Sequence, residues 1–451
     1  MTRAGIRILA IGTVVVLIPL ALHGVWDQIE ATRLSRRVRE IQQRGEPVNT
    51  AENRRPLDSE QQRDASRLYF AAAILSVPTF PPRLQAASTG QALRGSMATL
   101  AELAGRPAAD VRRDPRLADL EATVESVRSA LSLLDEATPL DFQRFSPDSP
   151  AYSLLTSDLI RLATVNSLRT SVLALRGDID QAASSHVASV RLLRTFTGMA
   201  GSFTPRTTDA LALLIARGSP DESALRTLQQ AYAHAAENDG LADALIDRRA
   251  TMLESAWPHS YGRASWVQRL AINGLRRRGF DPVWFLLRPW LTRSFIAMID
   301  TLQAEIAIAR QPWPQKYEAV NRLRQQFPEG PRQPFGSTDV NRFGVPLQFP
   351  APQWSQGFVR YATAAGERLA VNRAAVAVLG VELFRRTHGG TLPQMLDGGV
   401  LDPFTGRPLK YVRSDTSYTV YSVGPDQHDD GGEVGEGRGA RDRGIRVRLG
   451  P

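Results

Sequence analysis

An uncharged apolar run at the N-terminus constrains this chain more than any other feature. It extends from Ile8 to Leu22 and continues through His23 to Trp26 without a charge. As a helix rising ~1.5 Å per residue it would measure roughly 28 Å, close to the ~30 Å hydrocarbon thickness of a bilayer. Pro19 is tolerable inside a membrane helix, where neighbouring groups can re-satisfy the freed carbonyl, and Trp26 stands where an interfacial aromatic belongs. The start, with Arg3 and Arg7, would suit a secretory signal. The exit Ala21-Leu22-His23-Gly24-Val25-Trp26 offers no A-x-A cleavage site, so retention as an anchor is expected. Residues 1–26 are therefore read as a transmembrane anchor that contacts the lipid bilayer through residues 6–26.

Arginines flank the run on both sides. Arg3 and Arg7 precede it, while Arg33, Arg36, Arg37 and Arg39 follow. A bare count favours an inside C-terminus, but Asp27 and Glu30 come first after the run and the arginines begin two turns later. An exported body on a single-pass protein of the inner (cytoplasmic) membrane is the expectation. Trp26, Ile29, Leu34, Val38 and Ile41 recur at helical intervals, and Arg36 and Glu40 are spaced for an i,i+4 pair. Residues 27–56 thus read as a helical stalk ending near Gly45 and Pro47, with self-association through the stalk as one route to partners.

Between residues 57 and 326 apolar positions keep the helical period, as in Asp64–Leu75, Leu117–Leu134, Ser153–Leu175, Ile179–Phe196 and Ser223–Ala236. An α-helical domain follows, so the fold class is mainly α. Within it, Leu168–Leu193 carries Gly177-Asp178 and then Ala182, Ala183, Val187, Val190 and Leu193. This resembles one helix-turn-helix unit of a tetratricopeptide repeat. No second unit recurs, so an ordinary αα-hairpin of a bundle is expected. The aromatic stretch Val283 to Trp290 reads as a core helix, with an interfacial helix as the alternative; Arg288, Pro289 and Arg293 rule out a second span.

Prolines and glycines crowd residues 327–354, marking a linker. After it, residues 355–451 offer an amphipathic helix, Phe358–Arg386, and short strands at Leu409–Arg413, Tyr418–Val423 and Ile445–Leu449. Specific motifs appear here: His388-Gly389-Gly390-Thr391-Leu392-Pro393, then Leu401-Asp402-Pro403-Phe404-Thr405-Gly406-Arg407-Pro408, then Tyr421-Ser422-Val423-Gly424-Pro425-Asp426 with Gly431-Gly432. Their order resembles the C-terminal part of the major pseudopilin of type II secretion. The resemblance implies a small α+β module, a helix leading into a sheet, at the end of a mainly α chain. It also implies an extracytoplasmic setting. The processing site of that family is missing, since Gly5-Ile6 is followed by Ala10 where a glutamate belongs. Assembly into a pseudopilus by that route is not expected.

In pseudopilins the corresponding loop holds calcium. Asp426, His428 and Asp430 fall at alternate positions before Gly431, and Asp429, Glu433 and Asp442 are near in sequence. Oxygen ligands at alternate positions suit a hard cation. The candidate ligands are Asp426, Asp429, Asp430 and Asp442, and a solvated acidic loop is the other reading.

Composition removes several chemistries. No cysteine is present among the 451 residues, so disulfides, thiolate metal sites and thiol nucleophiles are out. The net charge of +9 is spread along the chain and interleaved with acids, with lysine only at Lys316 and Lys410, and no basic patch of the nucleic-acid-binding kind stands out. Walker A, H-E-x-x-H and G-x-S-x-G motifs are lacking. The glycines Gly435, Gly437 and Gly439 have no strand and helix around them to make a dinucleotide loop. His186 and His234 sit in helical runs where a structural role is expected. No catalytic residue is assigned. The reading is a membrane-anchored, non-catalytic helical scaffold of the bacterial cell envelope. The alternatives are an accessory component of a type II secretion or pilus-like system, and a hydrolase assembled from distant residues.

Overall fold

The computed structural model describes residues 3–53, 59–81, 88–140, 142, 155–194, 204–237, 239–256, 282–326, 351–396, 398–434 and 442–449. These residues are mainly α-helical, with one small antiparallel sheet near the C-terminus. The chain divides into two compact units that interleave in sequence. The first comprises residues 1–54, 242–310 and 322–359, and the second residues 55–241, 311–321 and 360–451.

The first unit is built on a helix pair, α1 (Arg3–Gln43) and α13 (Pro282–Ala309). Leu34, Val38 and Ile41 of α1 pack with Phe295, Met298 and Ile299 of α13, and Leu253 of α12 (Leu241–Ala256) joins them. Leu34, Val38 and Ile41 of the apolar stripe that the sequence places on the stalk are thus covered within the chain, while Ile29 is exposed. Glu40 pairs with Arg37 at 2.8 Å rather than with Arg36, and Arg37 also reaches Asp300 at 3.0 Å. Helix α1 stops where Gly45 adopts φ 70° and the Glu46 N–H returns to the Ile41 carbonyl at 3.2 Å, a left-handed glycine cap. Glu46 is buried and accepts from Arg249 at 2.7 Å and Arg310 at 2.8 Å, tying the end of α1 to α12 and to the residue after α13.

Among the described residues no helix is long and apolar enough to cross a membrane. The side chains of residues 1–16, which carry the first part of the apolar run, lie outside the described residues.

The second unit begins with helices whose starts are set by side-chain caps. Ser59 accepts from the Gln62 N–H at 3.1 Å to open α3 (Glu60–Leu75), and Ser88 from Gln91 at 3.3 Å to open α4 (Thr89–Ala104). Asp114 followed by Pro115 opens α6 (Pro115–Glu125), a cap plus a proline in the first turn. One apolar cluster joins α3, α7 (Arg128–Ala137) and the first half of α8 (Leu155–Arg176) through Tyr69, Leu134 and Leu162.

The expected hairpin of α8 and α9 (Ile179–Arg194) is present. Gly177 takes φ 99°, and the N–H groups of Gly177 and Asp178 both return to the Leu173 carbonyl, at 3.1 and 3.0 Å. A buried polar ladder joins the helices. Asn166 donates to the Ser185 carbonyl at 2.7 Å and to Ser189 at 2.9 Å, and Ser185 donates back to Asn166 at 3.1 Å. These small side chains let the helices approach, and each polar atom finds a partner across the seam. Helix α10 (Thr204–Arg217) lies on both members of the hairpin, and α11 (Glu222–Ala235) on α9.

Helix α15 (Ala351–Thr387) leads to the sheet, whose strands β1 (Lys410–Arg413), β2 (Ser417–Ser422) and β3 (Arg443–Arg448) are all antiparallel with β2 central. Tyr418 pairs with Val447 and Val420 with Ile445, and these four residues are buried. They join Val378 and Val381 of α15 and Leu168, Val172, Leu211 and Leu228 in one core, so the sheet and the helical bundle share an interior. The stretch 327–350, most of the sequence-drawn linker, falls outside the described residues.

Candidate functional site

Two regions answer to the sequence expectations: the acidic loop after β2 and the exposed end of α1. The acidic loop is held by a buried carboxylate at its base. Asp402, in the turn that opens Asp402-Pro403-Phe404, accepts from the Phe404 N–H at 2.8 Å, the Ser422 hydroxyl at 2.9 Å and the Val423 N–H at 3.1 Å. Its own N–H goes to the Arg407 carbonyl and its carbonyl accepts from Gly406, whose φ of 70° closes the turn. One aspartate therefore clips the Asp-Pro turn to the end of β2, which fixes where the following loop departs.

Within that loop the four candidate ligands do different things. Asp426 accepts from the His428 N–H at 3.2 Å, an Asx-type turn contact. Asp429 accepts from the Tyr421 hydroxyl at 2.9 Å and the Gly431 N–H at 3.0 Å, with Lys410 at 3.6 Å. The Gly431 N–H, the Tyr421 hydroxyl and Lys410 hold the Asp429 carboxyl below its ordinary range. Asp442 is buried and accepts from the Gly432 N–H at 2.8 Å and, at 3.5 Å, from that of Asp430. Burial, with repulsion from Asp429 and Asp430, pushes its carboxyl up. Asp430 accepts from His428 Nδ1 at 3.2 Å through one oxygen, while its Oδ2 is buried with no hydrogen-bond partner.

The loop thus brings Asp430 and Asp442 together and turns Asp426 and Asp429 to other partners. Among the described residues no group of three or more acidic or histidine side chains converges as a metal cradle. Calcium takes 6–8 oxygen ligands. The orphaned Asp430 oxygen suits a cation, but two carboxylates fall well short of that set.

Buried polar groups elsewhere in the second unit are structural in geometry. His186 Nε2 lies 2.8 Å from the Tyr232 hydroxyl, both fully enclosed, and burial drives the imidazole down to about 3, so it stays neutral at ordinary pH. His234 is exposed beside Glu237 at 3.2 Å. Lys316 pairs with Asp239, and both are almost fully buried. Asp239 also accepts from Trp313 Nε1 at 2.8 Å and, through its carbonyl, from Arg368. Glu382 accepts from the Tyr418 hydroxyl at 2.6 Å, with burial raising the carboxyl. Apart from exposed His234, these groups pin helices to one another and to the sheet. Sequence reading missed all of them except the histidines, because each pairs residues far apart in the chain.

At the other region, α1 exposes apolar side chains almost all round. Leu17, Ile18, Leu20, Leu22, Val25, Trp26 and Ile29 are exposed, whereas His23 and Asp27 are half-covered and Glu30 is buried. Glu30 accepts from Trp26 Nε1 at 3.3 Å and from Arg33 at 2.9 Å. From Glu30 onward only one face of the helix is apolar, and that face is covered by α13. Helix α1 therefore changes character within one turn.

The fold is that of a mainly α protein with a three-stranded sheet built into its helical core. No protein-family model, curated protein or solved structure matches the chain.

Proposed function

We propose that the protein is a membrane-tethered, non-catalytic scaffold of the bacterial cell envelope, with one N-terminal span in the inner membrane and its body on the extracytoplasmic side. The observation that carries this reading is the ring of exposed apolar residues from Leu17 to Ile29, continuous with the uncharged sequence from Ile8. Contiguous exposed apolar surface of this kind is unfavourable in water and is stable against lipid. A second reading, an accessory component of a type II secretion or pilus-like system, is favoured by the C-terminal motifs. In that reading the helix-to-sheet module, clipped by Asp402, would dock with related folds. A calcium role for the acidic loop rests on Asp430 and Asp442, and its support is the unpartnered Asp430 oxygen.

Protease accessibility in intact spheroplasts tests the topology. Digestion of the body without lysis is the expected result, and protection until lysis would overturn the extracytoplasmic placement. Co-purification of secretion components with the full-length chain separates the second reading from the first.

A further inference from the structure

Helices α1 and α13 run in the same direction. Asp27 meets Arg288 at 3.2 Å, Arg37 meets Asp300 at 3.0 Å and Arg44 meets Gln303 at 3.1 Å, in the same order along both helices. The last two pairs are separated by 263 and 259 positions, so the register hardly drifts. Both helices rise by ~1.5 Å per residue. Continued back by six residues, nearly two turns, from the Asp27–Arg288 pair, this register sets residues Pro282–Leu287 of α13 level with Ala21–Trp26 of α1, the end of the uncharged run. The sequence there is Pro-Val-Trp-Phe-Leu-Leu, which also carries no charge. The first charges after these segments are Asp27 and Arg288, which pair with each other. The border between uncharged and charged residues thus falls at one height on two helices that are 261 residues apart at that pair.

We propose that the first turns of α13 form a second membrane contact, entering the same leaflet beside the anchor as far as the headgroup–acyl boundary. This rests on the tether reading of α1. Six residues of helix span ~9 Å, which matches the ~5–10 Å depth at which apolar helical surface settles in a bilayer interface. By this register the backbone at positions 284 and 285 is level with that at His23 and Gly24, a height at which tryptophan is favoured in sequence, and the Asp27–Arg288 pair marks the water side. The anchor is accordingly braced: α13 fixes the height and tilt at which α1 leaves the membrane.

The chain has no cysteine, so single nitroxide labels can be placed in an otherwise native background. Full-length protein in liposomes would carry a label in turn at Trp284→Cys, Phe285→Cys, Leu286→Cys and Leu287→Cys, four positions that sweep a complete helical turn. Leu22→Cys serves as the lipid reference and Ala304→Cys, exposed on the same helix, as the aqueous one. The readout is the collision rate with oxygen relative to a water-soluble nickel chelate. At least two of the four positions should give a ratio close to that of Leu22→Cys and several-fold above that of Ala304→Cys. Four nickel-accessible positions, or four shielded from both reagents as in a protein core, would overturn the proposal while Leu22→Cys still reports lipid. An aqueous reading at Leu22→Cys would overturn the tether itself, and this proposal with it.

Discussion

Replacing Asp402 by alanine should be among the most damaging single changes in the second unit. The carboxylate is buried and accepts three hydrogen bonds, two of them from the N–H groups of Phe404 and Val423. The Ser422 hydroxyl, the third donor, can rotate toward another acceptor, but the backbone groups cannot. A buried donor left unpaired costs about 1–3 kcal/mol, so two of them cost about 2–6 kcal/mol before any repacking. Against a typical stability of about 5–15 kcal/mol, a loss of that size is a large fraction of the whole. Asp402→Asn keeps one acceptor oxygen and sets an amide N–H₂ against one donor, so its cost should fall between wild type and alanine. Urea unfolding of the full-length chain in detergent, followed by tryptophan fluorescence, measures both. Trp313 lies 6.0 Å from the Phe404 ring and reports on this turn directly. An alanine variant within about 0.5 kcal/mol of wild type, the range of a neutral surface change, would refute the view that one carboxylate holds the loop to β2.

Other outcomes follow from the same packing. Lys316→Met strips the cation from buried Asp239, and breaking such a pair costs about 3–5 kcal/mol, to be read as a lowered urea midpoint. Gly366→Ala would put a Cβ 2.7 Å from Trp313 and 3.0 Å from Phe404, both rigid rings, so it should destabilise by about 1–3 kcal/mol in the same titration. Burial raises the Glu305 carboxyl from its ordinary 4.5 to about 8, with Arg248 opposing the shift. The folded state then binds the proton more tightly than the unfolded chain, so this group's contribution falls as pH rises from 4.5 to about 8 and is level above that. Glu305→Gln should flatten that part of the stability–pH profile, and an unchanged slope would contradict the assignment. Thermal unfolding with calcium and with chelator tests the acidic loop: a raised midpoint supports binding at Asp430 and Asp442, and an unchanged one at saturating calcium removes it.

Local features were legible in the sequence where they rest on local physics. The α8–α9 hairpin follows from Gly177-Asp178 and the alanines after it, because a left-handed glycine and small side chains suffice to build it. The three strands appear within three residues of their expected ends, since Tyr418, Val420, Ile445 and Val447 place apolar side chains at every second position, although the central β2 is buried on both faces. The stalk helix ends at Gln43, beside the expected Gly45, because that glycine caps it. The partners of these elements were not legible. Leu34, Val38 and Ile41 announce an apolar stripe, but nothing in their spacing says that Phe295 and Met298 will cover it. Glu46 with Arg249 is a pairing across 203 positions, and Asp239 with Lys316 one across 77. Periodicity within a helix carries no information about such distant partners. The acidic loop shows the same limit: aspartates close in sequence suggest one cradle, while Tyr421 and Lys410 draw Asp429 away from it.

Alkaline carbonate extraction of membranes carrying the full-length chain, beside a chain lacking residues 1–26, tests the tether most directly. The account predicts that the full-length protein stays with the lipid pellet and that the shortened one is released. Release of the intact chain into the carbonate supernatant would contradict it.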